Sequence, residues 1–153
     1  MKHLGGRHIS ILGLGASGLA AARLALLKGG EVYVSDMRVE PSVAARGAEL
    51  RALGARIQLG EHDLGSLAES DTVVVSPGIP PDAPVLQALH ARGRRWISEP
   101  EFAFRFLHGP LIAVTGTNGK TTTSYLLESI LEAAGARDRG DLLDGWSDAA
   151  EPA

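Results

Sequence analysis

Apolar positions along the first hundred residues fall in short β-branched runs, separated by helix-length segments in which they recur every three or four residues. That alternation predicts a parallel sheet covered by helices. HISIL (8–12) predicts the first strand; a glycine-rich turn follows, then an Ala/Leu helix from about Gly18 to Lys28, stopped by Gly29 and Gly30. VYVS (32–35) and RIQLG (56–60) predict the second and third strands, with a helix over AARGAELRAL (44–53) between them. TVVVSPG (72–78) predicts the fourth strand, apolar enough for burial on both faces. Pro77, Pro80, Pro81 and Pro84 stiffen the next loop, and VLQALHARG reads as a helix starting near Pro84. RWIS (95–98) predicts a fifth strand and EPEFAFRFL (99–107) a short helix.

His108-Gly109-Pro110 interrupts this pattern and predicts a domain boundary. LIAVT (111–115) then predicts a new strand, and beyond a loop Leu126, Leu127, Ile130, Leu131 and Ala134 share one face of a helix closed by Gly135. The expected organisation is a first domain over 1–108, the start of a second over 109–135, and a tail over 136–153. The tail holds five acidic residues and no Val, Ile or Thr, where an α/β fold calls for another buried strand. We expect it to be disordered or foreign sequence.

Composition narrows the classes. With 44% hydrophobic and 22% charged residues the chain can bury a core. A formal charge of −3 offers no basic field for nucleic acid, and Arg92, Arg94 and Arg95 read as the solvated end of a helix. The absence of cysteine excludes disulfides and thiolate chemistry. No stretch approaches the ~20 apolar residues of a membrane span, and the N-terminus lacks a signal-peptide core, so a cytoplasmic protein is expected. The histidines at 3, 8, 62, 90 and 108 show no metal-ligand spacing and read as ordinary surface or core residues.

Two loops carry candidate chemistry. In GLGASG (13–18), Gly13 allows a tight turn, Gly15 lets backbone approach a diphosphate, and Gly18 permits close helix packing; Asp36 stands where an acid can bond a ribose hydroxyl. NAD and UDP both offer a diphosphate and a ribose. In TGTNGKTTT (115–123), amides from Gly116 to Lys120 can cradle phosphates, Lys120 can reach the terminal ones, and Thr121 can ligate Mg²⁺. The strict P-loop has a glycine where this chain has Val114. SPGIP (76–80), at the end of the fourth strand, places Ser76 and Gly78 where ligands bind in an open parallel sheet. The expected fold class is α/β: a Rossmann-like parallel-sheet domain followed by the first strand, loop and helix of a P-loop ATPase domain.

GLGASGLAAA, SDMR, VVVSPGIP, SEPEF and VTGTNGKTTT together resemble, in order and spacing, the Mur ligases of bacterial cell-wall synthesis, most closely those that add D-glutamate. The resemblance covers residues 8 to about 135. It implies that Gly15, Ala16 and Ser17 hold the UDP part of UDP-N-acetylmuramoyl-L-alanine, with Asp36, Met37 and Arg38 at the uridine and diphosphate, and Ser76 and Gly78 against the same nucleotide. The family often has Thr where this chain has Met37. It further implies that Gly116, Thr117, Asn118, Gly119, Lys120, Thr121 and Thr122 hold ATP, with Mg²⁺ on Thr121 and Lys120 in the catalytic role. The implied reaction is amide synthesis: the L-alanyl carboxylate takes the γ-phosphate, and the amine of D-glutamate displaces phosphate from the acyl phosphate. The family continues with further central and C-terminal elements where this chain has RDRGDLLDGW. A monomer that cannot ligate by itself is therefore expected. The competing expectations are an NAD-dependent oxidoreductase and a non-catalytic nucleotide-binding module.

Overall fold

A computed structural model describes residues 3–107 and 112–135. The chain divides into two compact units, Met1–Leu107 and His108–Ala153. The expected boundary at 108–110 and the tail from residue 136 lie outside the described residues.

The first unit is a five-stranded, wholly parallel sheet of β1 (His8–Leu12), β2 (Glu31–Asp36), β3 (Arg56–Leu59), β4 (Thr72–Val75) and β5 (Trp96–Ser98). The spatial order is β3-β2-β1-β4-β5. From β1 the chain winds outward through β2 to β3, then returns to the other side of β1 for β4 and β5. The reversal falls between β1 and β4, where an open parallel sheet leaves a crevice at its C-terminal edge.

Side-chain alternation sorts the core into two layers. Ile9 and Ile11 of β1, Val32 and Val34 of β2 and Val74 of β4 join one cluster with Ala21, Ala22 and Ala25 of α1 (Ala16–Leu27), Val43 and Leu50 of α2 (Pro41–Ala52), and Phe102. Leu12, Tyr33, Val73 and Val75 join the other, with Leu67 of α3 (Leu64–Glu69) and Val85, Leu86 and Leu89 of α4 (Pro84–Ala91). The three central strands are therefore buried on both faces, as their apolar runs require. Phe102 belongs to α5 (Glu99–Phe104) and meets Phe106 edge to face, 5.2 Å between centroids.

Several features differ from the sequence expectation; α2 begins at Pro41, three residues early, and α5 ends at Phe104, three residues short. α1 begins at Ala16, two residues early, because Gly15 is already its N-cap. α3 went unforeseen: six residues with one buried side chain carry no periodicity, and its N-cap Asp63 accepts from the Gly65 amide at 2.9 Å. Arg92 and Arg94 are more than a solvated helix end, since they donate to the carbonyls of Leu64 and Ser70 and tie α4 to α3. Residues 112–115 form no strand, because no described strand pairs with them and an unpaired β segment leaves its backbone groups unbonded.

In the second unit, α6 (Lys120–Ala133) starts at Gly119 and ends against Gly135. None of its residues is buried, and Tyr125, Leu126, Ile130 and Leu131 are exposed. No helix of the described residues is long and apolar enough to cross a membrane.

Candidate functional site

The loop after β1 is built by its glycines. Gly13 turns at φ 96°, and a Cβ there would lie 2.7 Å from Cβ of Ser76. A Cβ on Gly18 would come within 2.1 Å of the Gly13 carbonyl oxygen, so α1 can approach β1 only without a side chain at that position. Gly15 differs: nothing lies within 4 Å of its missing Cβ, which leaves the backbone open to a ligand. The first helical bond runs from the Leu19 amide to the Gly15 carbonyl at 3.0 Å. The amides of Ala16 and Ser17 therefore remain as donors at the positive end of the helix dipole.

Asp36, the last residue of β2, fixes this loop. Its Oδ2 accepts from the Leu14 amide (2.7 Å) and Nη2 of Arg38 (2.7 Å); its Oδ1 accepts from the Arg38 amide (2.8 Å) and Nε (3.0 Å). All four acceptor positions of the carboxylate are used. Burial alone would raise its pKa, but the hydrogen bonds from Arg38 and Leu14 and the guanidinium charge outweigh it and bring the pKa from 3.8 down to about 2. In return the carboxylate raises the Arg38 pKa, and the Arg38 side chain stays 52% exposed with donors to spare.

Across the switch point, the Ser76 hydroxyl donates to the buried carboxylate of Glu99 and lies 3.4 Å from the Gly13 carbonyl. The Ser76 amide bonds the Leu12 carbonyl at 2.9 Å. Ser76 thus ties the β4 loop to α5 and to the turn of the glycine loop.

These loops surround a cleft of about 650 Å³. Of the sequence-predicted residues, Gly15, Ser17, Asp36, Met37, Arg38, Ser76 and Gly78 line it together, while Ala16 is exposed beside it and is not part of its wall. Ile79, Val85 and His62 also line it and were not foreseen. His62 follows the C-terminal end of β3, the edge at which such sheets bind ligands, and that position was the available signal.

The second loop is simpler. Gly119 stands at φ 77°, the left-handed conformation that favours glycine, and its carbonyl accepts from the Thr123 amide at 2.9 Å. The amides of Lys120, Thr121 and Thr122 precede that first helical bond. Lys120 Nζ folds back to donate to the Gly116 carbonyl at 2.6 Å. Free amides and one ammonium over an open glycine suit a polyphosphate.

The parallel sheet, with a glycine loop at its switch point, and the Gly-Lys-Thr helix start define an α/β protein of the open-parallel-sheet class. Residues 7–98 match the family model described as Mur ligase MurD-like, N-terminal domain, and residues 114–140 match the Mur ligase middle domain. The chain belongs to the Mur ligase family. It is 43% identical over 132 residues to the UDP-N-acetylmuramoylalanine–D-glutamate ligase of Desulfatibacillum aliphaticivorans, covering 86% of this chain and 29% of that protein. With the ligase of the same name from Geobacter metallireducens it shares 44% identity over 134 residues, 88% of this chain and 30% of the relative. The chain thus spans about 30% of the length of the curated relatives it matches. Among solved structures, the murein peptide ligase of Psychrobacter arcticus superposes with TM-score 0.61 at 33% identity, over 85% of this chain and 27% of its own. The UDP-N-acetylmuramate-alanine ligase of Thermotoga maritima gives TM-score 0.57 at 25% identity, over 82% and 29%.

Proposed function

We propose that the first unit holds the UDP end of UDP-N-acetylmuramoyl-L-alanine, and that the chain is part of an ATP-dependent ligase adding D-glutamate to that precursor in cytoplasmic peptidoglycan synthesis. The observation that carries this reading is the cleft at the switch point, with open backbone at Gly15, free amides at Ala16 and Ser17, and the Arg38 cation on one wall. The diphosphate lies against those amides and the ribose runs toward Asp36, which acts by fixing Leu14 and Arg38. Met37 gives the base an apolar surface where a hydroxyl is common in the family, and Gly78 leaves room along the opposite wall.

The saturation of Asp36 speaks against an NAD enzyme, whose acid must offer free oxygens to a ribose diol. In the second unit, Gly116 to Thr122 hold the ATP phosphates, and Thr121 reaches Mg²⁺. ATP supplies the phosphoryl group that turns a carboxylate into an acyl phosphate open to attack by an amine. Lys120 offsets charge on that group.

A second reading has its own support. No residue of α6 is buried, so among the described residues the Lys120 loop has no packed wall behind it. By itself the polypeptide, acting as a monomer, binds the UDP ligand and does not ligate.

Calorimetric titration with the UDP-N-acetylmuramoyl-L-alanine precursor, NADH and ATP with Mg²⁺ tests both readings. We expect saturable heat from the precursor, with affinity falling at least tenfold in Arg38→Ala as a charge-assisted contact is lost. Selective heat from NADH overturns the assignment. ADP release dependent on both the precursor and D-glutamate overturns the second reading.

A further inference from the structure

Glu99 is buried without a counter-charge. It is 6% exposed, and among the described residues no cation pairs with it and its carboxylate has one partner, the Ser76 hydroxyl. A carboxylate so placed costs stability, and an apolar side chain of similar volume would fill the space at lower cost. Its position in the first turn of α5, beside the N-cap Ser98, offsets part of that cost. What the carboxylate does there is hold Ser76.

Ser76 stands where the two sides of the cleft meet. Its amide bonds the Leu12 carbonyl at 2.9 Å, and its own carbonyl accepts from the Ile79 amide at 3.1 Å, which closes the turn through Pro77 and Gly78. On the other side its Oγ lies 3.4 Å from the Gly13 carbonyl oxygen, and a Cβ built on Gly13 or Gly18 would fall 2.8 or 3.2 Å from that Oγ. The hydroxyl therefore fills the angle between the glycine turn and the start of α1.

That hydroxyl has one proton to give. A carboxylate is a stronger acceptor than a carbonyl at 3.4 Å, so the proton goes to Glu99 and none is left for a ligand. Released from Glu99, the side chain has three staggered positions and no charged acceptor to choose among them. The donors on the two walls are the Ala16 and Ser17 amides and the Gly78 amide, which nothing bonds among the described residues. Their separation then loses its fixed value.

We propose that Glu99 is the positioning residue of the cleft: through the Ser76 hydroxyl it sets the spacing between the glycine loop and the Ser76–Ile79 turn, and with it the affinity for the diphosphate end of the ligand. Ser76 lines the cleft and Glu99 does not, so Glu99 acts without touching the ligand. The inference rests on the nucleotide reading of the cleft and adds what keeps its two walls in register.

The test is calorimetry on the full chain with UDP and with pyrophosphate, beside thermal melts of each variant. Glu99→Ala and Ser76→Ala should each weaken both ligands about five- to tenfold, the worth of one good hydrogen bond. The double variant should bind no more weakly than the worse single one, because the two side chains act as one link. Glu99→Gln keeps an oxygen for the hydroxyl and removes a negative charge, and should bind UDP no less tightly than wild type. Glu99→Asp keeps the charge, stops one methylene short of Ser76, and should bind like Glu99→Ala. A Glu99→Ala protein that melts lower but binds UDP within about twofold of wild type has lost stability alone, and overturns the inference. Additive losses in the double variant overturn the route through Ser76. If Glu99→Ala does not fold, the other two substitutions decide: a Glu99→Gln protein as weak as Glu99→Asp overturns the inference and leaves the nucleotide site standing. A wild type that binds neither ligand removes the nucleotide reading and this inference with it.

Discussion

Both glycine-rich loops of this chain open a helix and offer free amides, yet they are held very differently. Around the first, the Gly13 amide bonds the Ser35 carbonyl (2.9 Å), Leu14 bonds Asp36, and Arg46 of α2 donates to the Leu14 carbonyl (3.2 Å). The Leu14 side chain is fully buried, and α1 behind it buries Gly18, Ala21, Ala22 and Ala25. Around the second, among the described residues, the bonds come from within the loop and its own helix: Lys120 to Gly116 and Thr123 to Gly119. That helix buries nothing. Free amides make an anion site only when something fixes where they point, so preorganisation separates the two loops more than sequence motif does.

The harshest way to break this comparison is to put the same methyl group on a glycine of each loop. Gly18→Ala drives Cβ into a backbone oxygen that cannot move without dragging β1, and should cost about 3 kcal/mol or more. Urea denaturation of the first unit should show it as a lower midpoint. Gly119→Ala meets no neighbouring atom within 4 Å and pays only the left-handed strain of about 1–2 kcal/mol. It should lower helical circular dichroism without moving the main unfolding transition. Equal effects of the two on that transition would erase the distinction.

Asp36 sharpens the comparison through pH. Its folded pKa of about 2 lies below the unfolded 3.8, so its stabilisation is complete above pH 3.8 and fades as the pH falls through about 2. A shift of that size corresponds to about 2 kcal/mol. Asp36→Asn should therefore lower the stability of the first unit by about that amount at pH 6, and the gap to wild type should narrow toward pH 2. Denaturant midpoints across that range would show it, and a gap independent of pH would mean that the carboxylate's charge does not hold the loop.

The sequence revealed most where a residue's role follows from steric demand. Gly13, Gly15 and Gly18 have distinct roles that the fingerprint predicts, and the buried runs in β1, β2 and β4 left little doubt about the sheet. It revealed less where a role depends on who the neighbour is. Asp36 reads as a free acid until the fold brings the Leu14 amide and Arg38 onto both oxygens. Glu99 lies 23 residues from Ser76, and no periodicity announces that pair. His62 has no motif at all; only the sheet order places it beside Met37. Residues 112–115 failed in the opposite direction: their β propensity is real, but a strand exists only with a partner to bond.

The smallest expected effect is the most direct probe of whether the loops are energetically independent. Lys120 is exposed, and its ammonium satisfies one carbonyl that water could satisfy as well. Lys120→Ala should therefore change the unfolding free energy of the first unit by less than about 0.5 kcal/mol, and leave its UDP affinity unchanged. Denaturation and calorimetry on the same variant read both quantities. If removing this ammonium moved either one by more than about 1 kcal/mol, the second loop would be communicating with the first through energy that its own contacts do not reveal. The difference in preorganisation would then belong to the pair of units together and not to each loop alone.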